Sequence, residues 1–271
     1  MLRFDLMKKY FKIFFLSFQT FLEYRWELFS KYFVEMVGVF FMLFVWKAIT
    51  DEYGNIGGYS FESFVVYYLL FGIFRNLKAS DIWVTFDEWI RTGNLSIWLT
   101  KPMDAKMFAI FREISRVLME MAVTLFVYVP IILLIPLFRH SIVISLETII
   151  WVLLFSVLTF IFTSLFYLSI GLMAFWLKST YGLGNIVQQT INILRGAWFP
   201  LDIAPLWFQN LVFALPFAYT LYTPIKIILG GGEKIDYLKG IWVLIVTSLI
   251  CFVIVKLMWK TGLKQYEAVG Q

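Results

Sequence analysis

Asn185, Gln188, Gln189, Asn192 and Arg195 recur at three- and four-residue intervals inside an otherwise apolar stretch, so a helix there carries them as one polar stripe. The amides offer neutral donors and acceptors, and Arg195 adds a permanent positive charge at one end. An earlier stretch repeats the pattern with Tyr68, Gly72, Arg75 and Asn76. Polar groups of this kind are costly in hydrocarbon and face either a neighbouring helix or a wet cavity. Two roles fit the spacing equally: amides that hydrogen-bond between helices, and a lining that handles a polar cargo. Glu35, Glu113, Arg116 and Glu120 lie near the ends of apolar segments and read as intramolecular ion pairs.

Chemistry of other kinds has no carrier in the chain. There is no G-x-x-x-x-G-K-[ST] loop for ATP, and Gly182-x-Gly184 and the Gly230–Gly232 run sit in no strand–helix–strand context. Neither H-E-x-x-H nor G-x-S-x-G occurs. The adjacent carboxylates Asp87 and Glu88 have no histidine near them in sequence. His140 is the only histidine and Cys251 the only cysteine, which excludes multi-histidine metal centres and a disulfide framework. The chain reads as non-catalytic, with no metal and no cofactor of its own.

The elements that must position the polar stripes are membrane spans. Of 271 residues, 61% are hydrophobic and only 15% charged, and mean hydropathy is +0.81. Soluble domains run near 45–50% apolar and about 25% charged. The net charge of +5 has no patch of its own for nucleic acid, because the basic residues flank apolar runs. An all-α integral membrane protein with six spans is expected, at about 32–49, 61–77, 117–138, 146–177, 183–199 and 237–259. Pro130 is expected to kink the third. Phe4, Met7, Phe11, Phe14, Phe18 and Leu22 recur at helical spacing before the first span, with Lys8, Lys9 and Lys12 on another face. That pattern predicts an amphipathic interfacial helix over residues 1–30 rather than a cleaved signal peptide. Lysine and arginine concentrate before the first span, between the second and third, and in the tail, so both termini are expected in the cytoplasm.

Two connecting segments exceed simple turns. Residues 79–116 are cytoplasmic by charge and contain a helical pattern at 82–90, the Gly93–Asn94 turn and Pro102. Residues 200–236 are apolar yet cut by Pro200, Pro205, Pro216 and Pro224, which predicts two short helices, 205–215 and 217–229, dipping into the outer leaflet.

The order of these features resembles the ABC-2 type permeases, the membrane subunits of ABC exporters. Its carriers are Glu23-Tyr24-Arg25, Gly57-Gly58-Tyr59-Ser60 with Tyr67, and Ile90-Arg91-Thr92-Gly93-Asn94-Leu95 followed by Leu99-x-Lys101-Pro102. Trp198-x-Pro200-Leu201, Pro205-Leu206-Trp207, Leu215-Pro216-Phe217 and the ending Gly262-Leu263-x-x-Tyr266-Glu267-x-x-Gly270 complete the set. The resemblance covers nearly the whole chain, 1–271, as a single transmembrane domain.

The resemblance implies a separate cytosolic ATPase in two copies, which binds ATP and magnesium, and a second permease copy, identical or homologous. It implies a bacterial plasma membrane location in contact with lipid and no nucleic-acid partner. Residues 1–30 would be a connecting helix, 79–116 the coupling loop and 200–236 re-entrant helices over the exit. ATPase coupling would fall to Trp83, Phe86, Asp87, Glu88, Trp89 and Arg91. The translocation path would use Tyr67, Tyr68, Phe71, Asn185, Gln188, Gln189, Asn192 and Arg195. An outer gate would use Trp198, Trp207, Phe213 and Phe217. The cargo would be a hydrophobic or amphipathic molecule such as a drug, a peptide or a lipid-like compound. The competing reading is a stand-alone ion-coupled transporter or channel, which favours mid-span carboxylates for its coupling ions.

Overall fold

The structure is a computed structural model that describes residues 12, 14–16, 18–20, 23, 25–134 and 142–266. Most of the expected interfacial helix over 1–30, His140, and the terminal Glu267 and Gly270 lie outside the described residues. The described part is helical without named strands: α1 (Arg25–Tyr53), α2 (Phe61–Phe74), α3 (Ile82–Arg91), α4 (Leu95–Thr100), α5 (Ala105–Leu134), α6 (Leu146–Leu172), α7 (Tyr181–Leu194), α8 (Leu206–Ala214), α9 (Tyr222–Ile228) and α10 (Lys234–Gln265). Short 3₁₀ turns at Arg75–Leu77 and Met173–Phe175 continue α2 and α6.

Local signals place the helix starts. Ser60 caps α2 by accepting from the Ser63 amide, and Ser145 caps α6 through the Thr148 amide at 3.1 Å. Glu233 and Asp236 form a reciprocal capping box at α10. Between α1 and α2 the chain reverses at Ile56–Tyr59, whose backbones exchange bonds of 3.0 and 2.9 Å. Gly57 and Gly58 both take positive φ there, +57° and +84°, which a two-residue turn of this hand requires.

Four helices are long and apolar enough to cross a membrane: Phe29–Tyr53, Ala105–Ile132, Leu146–Phe175 and Lys234–Gln265. The other two expected spans are shorter. At 14 residues each, α2 and α7 rise about 21 Å at 1.5 Å per residue, against a hydrocarbon core of ~30 Å. Pro130 lies within α5 without ending it. The last part of the expected third span, 135–138, is outside the described residues.

The bundle is organised around α6, which packs along α10, against α3 near one end and against α9 near the other. The main core joins Phe64, Val66, Tyr67, Leu70 and Phe74 of α2 to Tyr128 of α5, Leu201, and Leu221 and Ile225 beside α9. By contrast, the outward face of α1 exposes Phe33, Phe40, Phe41 and Phe44, as expected of a helix bathed in lipid.

Candidate functional site

A cavity of about 500 Å³ opens between α1, α2, α5 and α7. Helix α1 supplies Lys31, Glu35 and an apolar wall of Val34, Val39 and Met42. Tyr68, Phe71, Arg75 and Asn76 come from α2 and its 3₁₀ extension, and Arg116 from α5. Gln188, Asn192 and Arg195 enter from α7, followed by Trp198, while Lys78 and Asp81 complete the rim. The α7 and α2 stripes therefore meet across one space.

Most of the charge there is locked in pairs. Arg116 holds Glu113 at 2.6 Å, Glu120 at 2.8 Å and Asp81 at 3.3 Å. Lys31 reaches Glu120 at 2.6 Å, and Arg75 reaches Glu35 at 2.9 Å. Glu35, Glu113, Arg116 and Glu120 are thus intramolecular ion pairs. Pairing of this kind offsets the cost of taking charges out of water. Arg195 and Lys78 are different: among the described residues neither has a carboxylate within ion-pair distance.

The cavity is tied mechanically to α3. The buried Asp87 carboxylate accepts from the Thr180 amide at 2.5 Å and from the Thr180 hydroxyl at 2.8 Å, satisfying donors at the start of α7. Trp83 lies against Gly171 of α6 and Gly184 of α7, where no side chain would fit. Below it, Trp89 stacks on Trp98 at 4.7 Å and Trp98 lies 4.0 Å from Phe108. The Tyr266 hydroxyl closes this end, donating to the Gly93 carbonyl at 2.7 Å and accepting from the Ser96 amide at 3.1 Å.

A second polar cluster sits at the other end. Lys226 of α9 pairs with Asp202 at 2.5 Å, and the Tyr59 hydroxyl donates to the same oxygen at 2.9 Å. These residues border a cavity of about 340 Å³ together with Gly57, Gly58 and Gly231. Burial first, then the Asp202 charge, pushes the Tyr59 and Tyr222 phenols well above their ordinary range, so both stay neutral donors.

The expected site residues are partly gathered and partly dispersed. Tyr68, Phe71, Gln188, Asn192, Arg195 and Trp198 line the large cavity. Tyr67 does not: it is buried beside it and donates to the Gly196 carbonyl at 2.6 Å. Asn185 and Gln189 also fall outside the lining, Gln189 accepting from Asn192 at 3.3 Å. On α3, the aromatic face of the expected ATPase-coupling residues points inward. Trp83, Phe86 and Trp89 are buried against α6, α7 and α5, because that face is the only apolar one the short helix can bury. Asp87 is buried with them, leaving Glu88 and Arg91 exposed. Among the expected gate residues, Trp207 is exposed, Phe213 packs on Tyr219 and Tyr222, and Phe217 on Phe162 and Phe166. The segment after α7 forms α8 within a residue of the expected 205–215; the second expected helix, 217–229, is divided into a 3₁₀ turn at Ala218–Thr220 and α9, which starts only at Tyr222.

Sequence reasoning missed Lys78, Asp81, Thr180, Asp202 and Lys226. Lys78 stands in sequence among the basic residues between the second and third expected spans, a position that marks topology alone. Nothing local marks Thr180 as the partner of a carboxylate 93 positions away.

Long apolar helices around an open, charge-lined cavity define a multi-pass membrane protein. Residues 36–270 match the family described as ABC-2 family transporter protein, and the chain belongs to that family. No curated protein matches it. Membership makes the chain a membrane protein of ABC-2 transporters, a family whose permeases are generally non-catalytic and associate with an ABC ATPase.

Proposed function

We propose that the chain is the permease subunit of an ATP-driven exporter in a bacterial plasma membrane, moving a hydrophobic or amphipathic cargo outward. Two permease copies, identical or homologous, and two ATPase subunits that bind ATP and magnesium form the working unit. Both termini face the cytoplasm. In this reading α2, with its 3₁₀ turn, and α7 complete a six-span bundle. The 17 residues of 61–77 reach the lower end of the range that spans a bilayer. Residues 200–236 are the re-entrant cap, held by the Asp202–Lys226 pair and by Phe213 and Phe217.

One observation carries the proposal: the helix of the 79–116 loop is keyed directly into the helix that lines the cavity. A force applied to α3 reaches α7 through the Asp87–Thr180 bonds and the Trp83–Gly184 contact. ATPase docking then falls to what this loop exposes, namely Glu88, Arg91, Ile97, Leu99 and Lys101. Trp83, Phe86 and Trp89 transmit rather than dock. Charged rim groups set register and association rate more than affinity.

The test is affinity purification of the chain from its native membrane, followed by nucleotide-dependent transport in proteoliposomes. An ABC ATPase should co-purify with wild type and be reduced by charge reversal at Glu88 and Arg91 together. Vectorial transport by the chain without any ATPase would refute the proposal in favour of a stand-alone transporter.

A further inference from the structure

The guanidinium of Arg195 is 2% exposed, and its Nε and Nη2 make no hydrogen bond. Those two atoms form the edge of a guanidinium that matches two oxygens of a carboxylate, phosphate or sulfonate. Asn76 is 6% exposed, and its Nδ2 is also unpartnered. Lys78 lines the same cavity and makes no ion pair among the described residues, although its carbonyl accepts from Arg116. Every other cation in the lining is matched to a carboxylate. The unsatisfied donors are therefore all of one kind, and a buried charge without a partner is costly enough to mark a ligand position. The opposite wall, Val34, Val39, Met42 and Phe71, is apolar.

We propose that this cavity binds an anionic amphiphile, its phosphate, sulfonate or carboxylate seated on Arg195, Lys78 and Asn76 and its tail along the α1 wall. This deepens the exporter reading and rests on it for one point only, that the amphiphile is cargo. The binding chemistry stands on the cavity itself. Arg195 and Lys78 repel a cationic head, and the lining carboxylates Glu35 and Asp81, already held by Arg75 and Arg116, have little charge left to attract one.

The experiment uses the full chain in phosphatidylcholine nanodiscs, titrated calorimetrically against dodecyl phosphate, dodecyltrimethylammonium and inorganic phosphate, with empty discs subtracted. Saturable binding of dodecyl phosphate is expected, weakened about tenfold to a hundredfold by R195Q and about tenfold by K78Q, the loss expected for charge-assisted bonds. R195K should retain part of the affinity, which guards against misreading an R195Q variant that folds poorly. Equal binding by R195Q and wild type, or binding of the cationic amphiphile as tight as the anionic one, overturns the site. Inorganic phosphate binding as tightly as dodecyl phosphate overturns the amphiphile and leaves a simple anion.

The ATPase complex, tested in parallel, separates the two readings. Arg195-dependent binding with stimulated ATP turnover supports cargo. The same binding without stimulation leaves the site standing and removes the amphiphile as cargo. Phosphatidic acid placed in the discs distinguishes a resident lipid, which displaces dodecyl phosphate without stimulating turnover, from an exported amphiphile; that result overturns the cargo assignment.

Discussion

Replacing Asp87 with alanine should release α7 from α3. The carboxylate is buried and accepts two bonds from Thr180, itself fully buried. Hydrogen bonds to a charged group contribute roughly 1.5–3 kcal/mol each, and a negative charge at a helix start adds about 0.3–1 kcal/mol. Both bonds share one acceptor, so they do not add fully. The Arg91 contact, at 3.7 Å to a mostly exposed side chain, contributes little. A loss of about 3 kcal/mol follows for D87A, because the Thr180 amide is left buried without an acceptor. D87N keeps an acceptor oxygen and loses only the charge, so about half that loss is expected. Unfolding by sodium dodecyl sulfate in mixed micelles measures the stability. Cargo-stimulated ATP turnover in the complex measures coupling, which should fall in D87A while basal turnover persists. A D87A protein with wild-type stability and full stimulation would refute the mechanical link between α3 and α7.

Alanine at Gly184 places its Cβ 2.6–2.7 Å from the Trp83 ring, and overpacking of this kind costs about 1–3 kcal/mol, whereas G182A meets nothing within 4 Å and should lose no stability in the same titration. D202N should lose about 1–2 kcal/mol by leaving Lys226 without its carboxylate, and pairing it with K226M should recover part of that loss, as measured by thermal unfolding. Lys78 has a pKa lowered to about 7 by burial first and then by Arg195, Arg75 and Arg116, with Asp81 acting the other way, and Lys31 and Glu35 of α1 line the same cavity. The charged form is the disfavoured one in the fold, so stability rises as pH climbs from about 7 towards the ordinary lysine value near 10.4. Binding of dodecyl sulfonate, whose charge does not change in this range, should fall as Lys78 loses its proton around pH 7, and K78Q should flatten both profiles; an unchanged sulfonate affinity between pH 6 and pH 8.5 in wild type would exclude Lys78 from the anion site.

Composition and period alone determined that this is a helical membrane protein, because transfer of so many apolar side chains to water has no other resolution. The same local signals located a helix over 82–90, the start of α6 and the first short helix after α7, since caps, prolines and hydrophobic runs act over a few residues, while α10 runs several residues past its expected 237–259 and α9 starts five residues late. Even the ion pairs of Glu35, Glu113, Arg116 and Glu120 were legible, being charges that hydrocarbon forbids unless matched. Tertiary structure decided the rest. Sequence showed that α3 has an aromatic face but not which way it points, and packing against α6 and α7 turned Trp83, Phe86 and Trp89 inward. It showed a stripe on α7, but only the crossing of α1, α2 and α7 separated Gln188, Asn192 and Arg195, which line the cavity, from Asn185 and Gln189, which do not. Asp87 with Thr180, and Asp202 with Lys226 and Tyr59, join positions far apart in the chain. Such partners share no period and no motif, because a hydrogen bond depends on distance in space, and only the folded bundle sets that distance.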